Sequence, residues 1–300
     1  MKLQFYNSVT SEKEEFQPIS NKEVLVYGCG PTVYNSPHIG NFRTFIFYDL
    51  LNRVLVQNGY TVKNVINITD IDDKIIDRVN NEDIAFNDLI QKYERIFLEQ
   101  SDFLSILPST FNPRASEYVS EMIDFIKSLT DKGMAYNING NIFFDTKEYS
   151  KYGKFVNIDD DNLSKEDNEL GKKHPNDFAL WKAWKESDGE ITWTSDWGNG
   201  RPAWHTECAV LGTQLLGESI DIHCGGIDLK FPHHENESAQ VEALLGNQFA
   251  NYWLHSEHLI FDREKMSKSL GNTLTISDLL KKYSSESLRL FLLSSHYRSK

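Results

Sequence analysis

The sequence predicts an α/β protein whose Rossmann-like parallel sheet carries helices on both faces and is split by an inserted α+β connective module. An apolar run at residues 24–27, a helix-spaced segment at 42–58 and an alternating segment at 62–68 form a strand–helix–strand unit. Helical and strand patterns alternate again between residues 204 and 261, which indicates that the parallel sheet resumes there. In between, Asn139-Gly140 separates two short apolar runs and predicts a hairpin, so an antiparallel unit interrupts the sheet.

The domain boundaries follow from these changes of pattern. We expect residues 1–115 and 195–260 to form the Rossmann-like domain. Residues 116–194, with a helical stripe followed by the hairpin, form the inserted connective module, and residues 261–300 form a lysine-containing loop and further helices. A chain of 300 residues exceeds the usual size of one domain, which agrees with such a division.

Composition excludes several classes of protein. The hydrophobic share of 40% supports a real core, but no stretch matches a secretory signal or a membrane span. The cysteines Cys29, Cys208 and Cys224 are an odd, widely spaced set, which argues against a disulfide framework and for a reducing compartment. A net charge of -13 argues against a broad nucleic-acid surface, so any RNA contact must be local. We therefore expect a soluble, cytoplasmic protein with no membrane partner.

The segment from Tyr27 to Asn41 joins the first predicted strand to the first predicted helix. Unpaired backbone N–H groups and the positive end of the dipole make a helix start a ready anion site. Gly40 lets a phosphate approach the backbone closely, and His38 and Asn41 add side-chain donors. The alternative is a solvated surface turn rich in glycine and proline, and this stretch alone does not decide between them.

A set of sulfur, nitrogen and oxygen donors suggests a metal site. His233 and Glu237 are spaced i, i+4 in a predicted helix and therefore share one face. Without cysteines, such a pair is more often a surface ion pair or a helix cap. With Cys29 and Cys208, which fall at predicted strand or helix ends, the pair makes a mixed donor set that suits Zn(II). The rival ligands, which the sequence alone cannot rank, are Cys224, His234 and His205.

A polar segment with two lysines follows the last predicted strand at residues 262–272. Lys265 and Lys268 can bring positive charge to a polyphosphate, which is how a mobile loop stabilises a transition state without acid–base chemistry. Two lysines in such a loop can also simply be solvated. The functional interpretation gains weight because the segment follows residues 38–41 and a strand–helix–strand unit in order.

These residues resemble the signatures of the class I aminoacyl-tRNA synthetases. Lys265-Met266-Ser267-Lys268-Ser269 is similar to the second signature of that family. His38-Ile39-Gly40-Asn41 is similar to the first, with Asn41 in place of the more usual closing histidine. The resemblance is to the cysteinyl branch in particular, and it is carried by four further segments: Tyr27 to Tyr34, Asn67 to Ile75, Trp204 to Cys208 and Gly225 to Glu237.

The resemblance implies an ATP-dependent ligase that turns cysteine and ATP into cysteinyl-adenylate and then charges tRNA(Cys). It implies one Zn(II) per chain, with Cys224 excluded as a ligand and the metal held by Cys29, Cys208, His233 and Glu237. The implied catalytic residues align ATP, bound with Mg(II), and neutralise charge as diphosphate leaves. They are His38, Asn41, Lys265 and Lys268. With Gly40, and with Asp228 as a hydrogen-bond acceptor for the ribose, they form the implied ATP site.

The amino-acid pocket implied by the resemblance consists of Gly30, Thr69, Trp204 and His223. Zinc would select the substrate thiol, because serine differs from cysteine only by oxygen for sulfur and a hydroxyl is a poor zinc ligand. Two of these residues have plainer alternatives, Trp204 as core packing and His223 as a buried, satisfied histidine. The implied partners are cysteine, ATP and tRNA(Cys), and we expect a monomer.

Two rival functions share these residues. A cysteine ligase that adenylates cysteine in the same way and passes it to a small amine would use the same site. A non-catalytic, zinc-stabilised binding module would use the metal only to fold. A nicotinamide site is excluded, because residues 28–30 begin like a dinucleotide fingerprint but Val33 stands where its third glycine belongs. In the family, the chain continues into an anticodon-binding region, and we expect residues 261–300 to lead toward that missing region.

Overall fold

The computed structural model describes residues 2–156, 168–261, 264–265 and 274–300. The strands in these residues are β1 (Gln4–Asn7), β2 (Glu12–Glu15), β3 (Glu23–Gly28), β4 (Thr61–Ile66), β5 (Ala135–Ile138), β6 (Asn141–Phe144), β7 (Phe178–Ala183), β8 (Trp193–Ser195), β9 (Gly198–Pro202), β10 (Ile220–Gly226), β11 (Ala250–Ser256), β12 (Ile260–Phe261) and β13 (Glu264–Lys265). The α-helices are α1 (Ile39–Gln57), α2 (Asp73–Glu82), α3 (Phe86–Phe103), α4 (Val119–Asp131), α5 (Trp204–Leu216), α6 (Glu235–Leu245), α7 (Ile276–Leu279) and α8 (Ser285–Leu293).

A four-stranded sheet forms the centre of the fold, with the strand order β11-β10-β3-β4. Its neighbouring strands are all parallel. Parallel neighbours need crossover connections, which α1 supplies between β3 and β4 and α6 supplies between β10 and β11. Buried side chains of α1, α3 and α8 cover one face of the sheet, and those of α5 and α6 cover the other. The predicted α/β fold with helices on both faces is therefore confirmed.

An antiparallel sheet with the strand order β5-β6-β7-β9-β8 lies between the two parts of the parallel fold along the chain. Its first hairpin turns at Asn139 (φ 53°) and Gly140 (φ 86°), as the sequence predicts, because two left-handed residues match the twist of the strands. Helix α4 packs on this sheet through buried apolar residues. Strand β9 continues to Pro202, beyond the predicted module end at residue 194. The division into domains stays a prediction.

An N-terminal hairpin, β1 and β2, covers the outer edge of β11. The sequence of this segment gives no sign of it, because β2 reads Glu-Lys-Glu-Glu and has no apolar alternation. The Ser8 N–H donates to the Trp253 carbonyl at 2.9 Å, and the Asn7 amide donates to the Asn251 carbonyl at 3.0 Å. The edge strand thus has hydrogen-bond partners on its outer side.

The opposite edge, β4, is covered by an irregular segment at residues 110–115. Phe111 pairs with β4 through two backbone bonds, from its own N–H to the Asn64 carbonyl and from the Ile66 N–H to its carbonyl, both at 3.1 Å. The Ile68 N–H then donates to the Pro113 carbonyl at 2.8 Å. Both edges of the parallel sheet are therefore occupied by other parts of the chain.

Three element boundaries differ from the sequence pattern. Helical spacing from Glu82 to Leu107 predicts one helix, but α3 runs only from Phe86 to Phe103. Glu82 instead ends the preceding helix α2, because Asp83 is left-handed (φ 49°). The predicted helix that opens near Pro232 is regular only from Glu235, after an irregular turn at Lys230–His234. The strand predicted from Tyr252 to Phe261 is interrupted after Ser256. Among the described residues, no helix combines the length and apolar character needed to cross a membrane.

Candidate active site and metal centre

A cavity of about 480 Å³ opens at the carboxyl ends of β3, β4 and β10, where parallel sheets of α/β proteins commonly bind ligands. Its wall has three parts, which we name by their chemistry. The sulfur end consists of Cys29, Gly30, Asn67, Thr69, Trp204 and Cys208. The helix end consists of His38, Gly40, Asn41, Thr44, Gly226 and Asp228. The tyrosine end consists of Tyr34, Asn35, Lys74, Tyr93 and Phe97.

Four buried side chains, two of them the cysteines of the sulfur end, converge from three distant parts of the chain. Cys29 follows β3, Cys208 lies in the first turns of α5, His233 lies in the irregular turn, and Glu237 lies in the first turn of α6. One donor atom from each lies within 4.8 Å of the other three. The irregular turn does not separate the histidine from the glutamate, since His233 Nε2 is 2.9 Å from Glu237 Oε1. The four residues that the sequence favoured as metal ligands are therefore adjacent.

A second set, Cys29, His223, His234 and Glu237, also lies within 4.8 Å. In this set the rings are already hydrogen-bonded to the other members, with His223 Nε2 at 2.7 Å from Glu237 Oε2 and His234 Nε2 at 3.2 Å from Cys29 Sγ. In contrast, the buried Nε2 of His233 has no aligned hydrogen-bond partner among the described residues. The first set therefore fits a metal better, and its two sulfurs, one nitrogen and one oxygen suit tetrahedral Zn(II).

Each of the four converging side chains is held by a further buried residue. His205 Nδ1 lies 2.8 Å from His233 Nδ1, which leaves the other ring nitrogen facing the cluster. Glu237 is contacted by His223, and Cys29 is contacted by His234. Asn67 holds the last of them, since the Cys208 thiol donates to Asn67 Oδ1 at 3.8 Å. Outer partners of this kind fix ring and carboxylate orientations around metal ligands.

The electrostatics of the cluster shift the pKa values of its four side chains in different directions. Burial alone would raise the pKa of Glu237, but the neighbouring His223 and His233 hold it at about 2. Burial also opposes ionisation of Cys208, yet hydrogen bonding from Cys29 and the nearby His233 lower its pKa to about 6. Burial and the adjacent Cys208 raise the pKa of Cys29. The surroundings therefore favour the ionised forms of Glu237 and Cys208, which are the forms that bind metal. Burial lowers the pKa of His233, but the neighbouring Glu237 and Cys208 raise it to about 10.

The rest of the sulfur end is built around Gly30 and Asn67. The Gly30 N–H donates to Asn67 Oδ1 at 2.9 Å, and the Asn67 amide donates to Thr69 Oγ1 at 3.1 Å. A Cβ on Gly30 would lie 1.5 Å from the Asn67 carbonyl oxygen, so only glycine permits this approach. Trp204 stacks on the His233 ring, with centroids 3.9 Å apart and planes at 22°. The predicted residues Gly30, Thr69 and Trp204 thus line the cavity.

His223 lies elsewhere. Its side chain is fully buried behind Glu237 and stacks on Trp253, with ring centroids 4.4 Å apart. It is not part of the cavity wall, so the plainer alternative, a buried histidine, describes its position. The reason is its place on β10, where the side chain points into the layer between the sheet and helices α5 and α6, beside Tyr27.

The helix end is formed by the start of α1. His38 is the N-cap residue, and its Nδ1 accepts the Asn41 N–H at 3.2 Å while Asn41 Oδ1 accepts the His38 N–H at 3.0 Å. This reciprocal cap explains why an asparagine fits at position 41, because its side-chain oxygen accepts the hydrogen bond of the His38 N–H. The positive end of the α1 dipole faces the cavity beside Gly40, which makes an anion site. Asp228 lies across from it, after β10.

The two predicted lysines are placed only in part. The backbone of Lys265 lies in β13 and pairs with Ile260, whereas Lys268 lies outside the described residues. After this segment the chain returns to the helix end, where the Leu274 carbonyl accepts the Ile39 N–H at 2.9 Å and Thr275 pairs with His38. The residues that follow the lysine segment therefore lie beside the N-terminus of α1.

Sequence reasoning missed two features of the site. The sequence marks Asn67 only as part of a motif, although its amide contacts Gly30, Thr69 and Cys208. The tyrosine end was not anticipated, because Tyr34 and Tyr93 are far apart in the chain. No local signal marks either feature, since both depend on contacts between distant segments.

Comparison with known proteins agrees with the family suggested by the sequence. A family model described as "tRNA synthetases class I (C) catalytic domain" matches residues 15–300. A protein named cysteine--tRNA ligase from Brachyspira hyodysenteriae is 49% identical over 98% of this chain and 64% of its own length. Those from Finegoldia magna (49% identical, 99% of this chain, 65% of the relative) and Thermococcus gammatolerans (48%, 100% and 63%) are similar. The chain thus spans just under two thirds of the length of these relatives.

Solved structures support the fold. Mycobacterium tuberculosis methionyl-tRNA synthetase in complex with methionyl-adenylate superimposes with a TM-score of 0.68 at 14% identity, covering 91% of this chain and 64% of that one. A second structure of the enzyme bound by methionyl-adenylate gives 0.64 at 14% identity, with 91% and 64% covered. At such identities the similarity concerns the fold alone. Since the family model spans nearly the whole chain, this protein belongs to the class I (C) tRNA synthetase catalytic-domain family.

Proposed function

We propose that this chain activates L-cysteine with ATP to form cysteinyl-adenylate and transfers the cysteinyl group to tRNA(Cys). The observation that carries the proposal is that two cysteines of a candidate metal cluster and a helix N-terminus line one cavity. The first can recognise a thiol and the second can bind phosphate. The relatives named cysteine--tRNA ligase add support, because they match along nearly the whole chain.

Zn(II) is the metal that the donor set supports, and its ligands would be Cys29, Cys208, His233 and Glu237. When bound, zinc would supply a Lewis acid that accepts a thiolate and holds a hydroxyl poorly, which discriminates cysteine from serine. The protein's own part is to orient its ligands and to favour the ionised forms of Glu237 and Cys208. His205, His223, His234 and Asn67 supply that orientation.

The first reaction needs alignment more than acid–base chemistry. The substrate carboxylate is itself the nucleophile: its oxygen forms a bond to the α-phosphorus of ATP as the bond to the diphosphate oxygen breaks. The start of α1, with His38, Gly40 and Asn41, would hold the phosphates, and Lys265 and Lys268 would neutralise the charge on leaving diphosphate together with Mg(II).

The two substrates would lie at different parts of the cavity. Asp228 would accept a hydrogen bond from the ribose of ATP at the helix end. Gly30, Thr69 and Trp204 would contact the amino acid at the sulfur end, with His223 acting through Glu237.

Cytoplasmic localisation and a monomeric state are part of the proposal. The described cysteines are all free, which agrees with a reducing compartment. Light scattering after size-exclusion chromatography tests the monomer directly, because it should return 34.6 kDa.

Cysteine-dependent exchange of labelled diphosphate into ATP tests the activation step. We expect exchange with cysteine, none with serine, and at least about a hundredfold loss in Cys29→Ala. Cys224→Ala is the matched control, because it removes the same buried thiol group from a residue outside the proposed ligand set. Absence of cysteine-dependent exchange from folded, zinc-loaded protein would refute the proposed function, as would equal exchange with serine.

A further inference from the structure

Tyr27 is a fully buried tyrosine whose hydroxyl has no role in the site described so far. Its side chain is 0% exposed and does not line the cavity. Within the described part of the chain, its hydroxyl has no aligned hydrogen-bond partner. Leaving such a group unpaired in the interior destabilises a protein, because the hydroxyl loses its bonds to water and gains none in return. A buried orphan hydroxyl therefore calls for a functional explanation.

The position of Tyr27 on β3 places its ring beside the candidate metal cluster. Cys29 follows two residues later, and alternate side chains of an extended segment point to the same side. Both side chains pack with Cys208 in the apolar layer between the sheet and helices α5 and α6. The centroid of the Tyr27 ring lies 5.0 Å from that of the His223 ring, which in turn contacts Glu237 at 2.7 Å. The ring is therefore next to the cluster but outside the cavity wall.

Helix α5 brings one member of the cluster, Cys208, close to the Tyr27 ring. Cys208 and Gly212 are four residues apart on α5, so they share one face of the helix. A Cβ on Gly212 would lie 3.5 Å from Tyr27 Cδ2, so the ring packs against that face. Cys208 lies one helical turn away, which is about 5.4 Å along the axis. Burial raises the pKa of Tyr27, and the next largest cause is the neighbouring Cys208. The phenol thus keeps its proton and is available as a donor near this sulfur.

Metal ligation would turn the Cys208 sulfur into an acceptor. As a thiol, Cys208 donates to Asn67 Oδ1 at 3.8 Å. A metal-bound thiolate has no proton, so its sulfur can only accept hydrogen bonds. Asn67 Oδ1 would still accept the Gly30 N–H at 2.9 Å, so losing the thiol proton does not leave it unpaired. A donor near the Cys208 sulfur, such as the Tyr27 hydroxyl, would then gain a partner.

A donor at this sulfur also matters for the charge of the site. Two thiolates and one carboxylate would place three negative charges around the two positive charges of Zn(II). A substrate thiolate would add a fourth negative charge in a buried place, where uncompensated charge is costly. A hydrogen bond from a hydroxyl to a ligand sulfur draws negative charge away from that sulfur, and bonds that involve an ionised group are the strong ones. Tyr27 is placed to offset part of this excess charge.

We propose that Tyr27 is a positioning residue of the metal centre, whose hydroxyl donates a hydrogen bond to the metal-bound thiolate of Cys208 and so helps the site accept the substrate thiol. The inference rests on the proposed function, because it assumes the metal and a thiol substrate. It goes beyond that function by assigning a role to a buried side chain that contacts no substrate.

The test compares Tyr27→Phe, which removes only the hydroxyl, with the wild-type protein. Tyr252→Phe is the matched control, because the Tyr252 hydroxyl donates to the Glu15 carbonyl and accepts the Gln17 N–H, both at 2.9 Å and away from the cluster. Each protein is titrated with cobalt(II), and the absorption band for charge transfer from sulfur to cobalt is recorded. The cobalt-loaded proteins are then titrated with cysteine and with ATP. Urea unfolding of the chelator-treated proteins measures the stability of each fold without metal.

We expect Tyr27→Phe to weaken cobalt binding at least about tenfold, the usual effect of losing an outer partner of a metal ligand. The charge-transfer band should move to longer wavelength, because a thiolate without the hydrogen bond holds its electrons less tightly. Binding of cysteine should weaken more than binding of ATP. Without metal, Tyr27→Phe should resist urea at least as well as the wild-type protein, because it loses an unpaired buried hydroxyl. Tyr252→Phe should keep the wild-type band and cobalt affinity.

The proposal is overturned if folded Tyr27→Phe keeps the wild-type band and cobalt affinity. It is also overturned if the variant without metal is less stable than the wild-type protein and the band does not move, because Tyr27 would then act through packing alone. If Tyr27→Phe does not fold, NMR of the wild-type protein loaded with a spin-half cadmium isotope decides. A coupling between the metal and the Tyr27 hydroxyl proton is expected across the hydrogen bond, and its absence overturns the proposal.

These outcomes are distinct from failure of the proposed function. Wild-type protein that shows thiolate–cobalt absorption and cysteine-dependent diphosphate exchange, both unchanged in Tyr27→Phe, contradicts only the role of Tyr27. A shifted cobalt band in Tyr27→Phe, together with no cysteine-dependent exchange by the wild-type protein, contradicts only the activation of cysteine.

Discussion

Replacing Gly30 by alanine should damage the proposed metal centre more than it damages the fold. The added Cβ would lie 1.5 Å from the Asn67 carbonyl oxygen, and real Cβ contacts are essentially never shorter than 3.0 Å. The segment that carries Cys29 would therefore have to move away from β4 by about 1.5 Å. That movement would break the bond from the Gly30 N–H to Asn67 Oδ1, now 2.9 Å long.

The expected cost follows from these two effects. Overpacking costs about 1–3 kcal/mol, and an unsatisfied hydrogen-bonding group costs about the same, so the free energy of unfolding should fall by roughly 2–6 kcal/mol. Displacing Cys29 by more than 1 Å should reduce diphosphate exchange about a hundredfold or more, because misplacement on that scale has such an effect on catalysis. Metal affinity should fall as well, since one of the four proposed ligands would leave its position.

Cobalt(II) binding measures the metal centre directly, because thiolate–cobalt absorption reports ligation by cysteine. Gly133→Ala is the control: Gly133 has φ +75° and nothing within 4 Å of an added Cβ, so alanine there strains the backbone by about 1–2 kcal/mol without touching the cavity. If Gly30→Ala binds cobalt as tightly as Gly133→Ala does and unfolds at the same denaturant concentration, the steric argument is wrong.

Three further predictions concern other parts of the molecule. Cys208→Ser should reduce bound zinc from about one per chain to less than about a tenth, while Cys224→Ala keeps it, as elemental analysis would show. Lys154 lowers the pKa of the partly buried Glu242 although burial opposes this, so the pair stabilises the fold above about pH 4.5 and its contribution is lost as acid protonates the carboxylate. Glu242→Gln should therefore cost about 1–3 kcal/mol in urea unfolding at neutral pH and much less in acid; an equal cost at both would contradict the assignment. Gly140→Ala should destabilise the hairpin by about 1–2 kcal/mol, because Gly140 has φ +86° and a Cβ would lie 3.2 Å from the Trp197 carbonyl oxygen; an unchanged thermal midpoint would argue against this.

The parallel sheet could be predicted from the sequence because its signals are local. Apolar spacing predicts the strand at residues 24–27 and the helix that follows it. The pair Asn139-Gly140 predicts a tight turn, because both residues readily adopt the left-handed conformation that the turn requires. The donor set at Cys29, Cys208 and the helix of Glu237 could be proposed because its chemistry is unusual in a chain with so few cysteines. These inferences needed no knowledge of which distant segments touch.

Contacts between distant segments could not be predicted in the same way. Alternation along β10 indicates that residues 222 and 224 face away from His223, but it does not tell which face carries the cavity. The family resemblance implied a place for His223 in the amino-acid pocket, whereas its side chain contacts Glu237 from behind the cavity wall. The contact between the His205 and His233 rings likewise joins two segments that are distant in the chain, and no sequence pattern predicts that they meet.

The covered edges of the parallel sheet bear on how the protein behaves at high concentration. An exposed edge strand offers unpaired N–H and C=O groups to the edge of another molecule, and such pairing begins aggregation. Here Asn7 and Ser8 occupy the edge of β11, and Phe111 occupies the edge of β4. Both short segments therefore block intermolecular pairing at the sheet edges. Loosening the N-terminal hairpin should promote such β-pairing while the cavity is still intact.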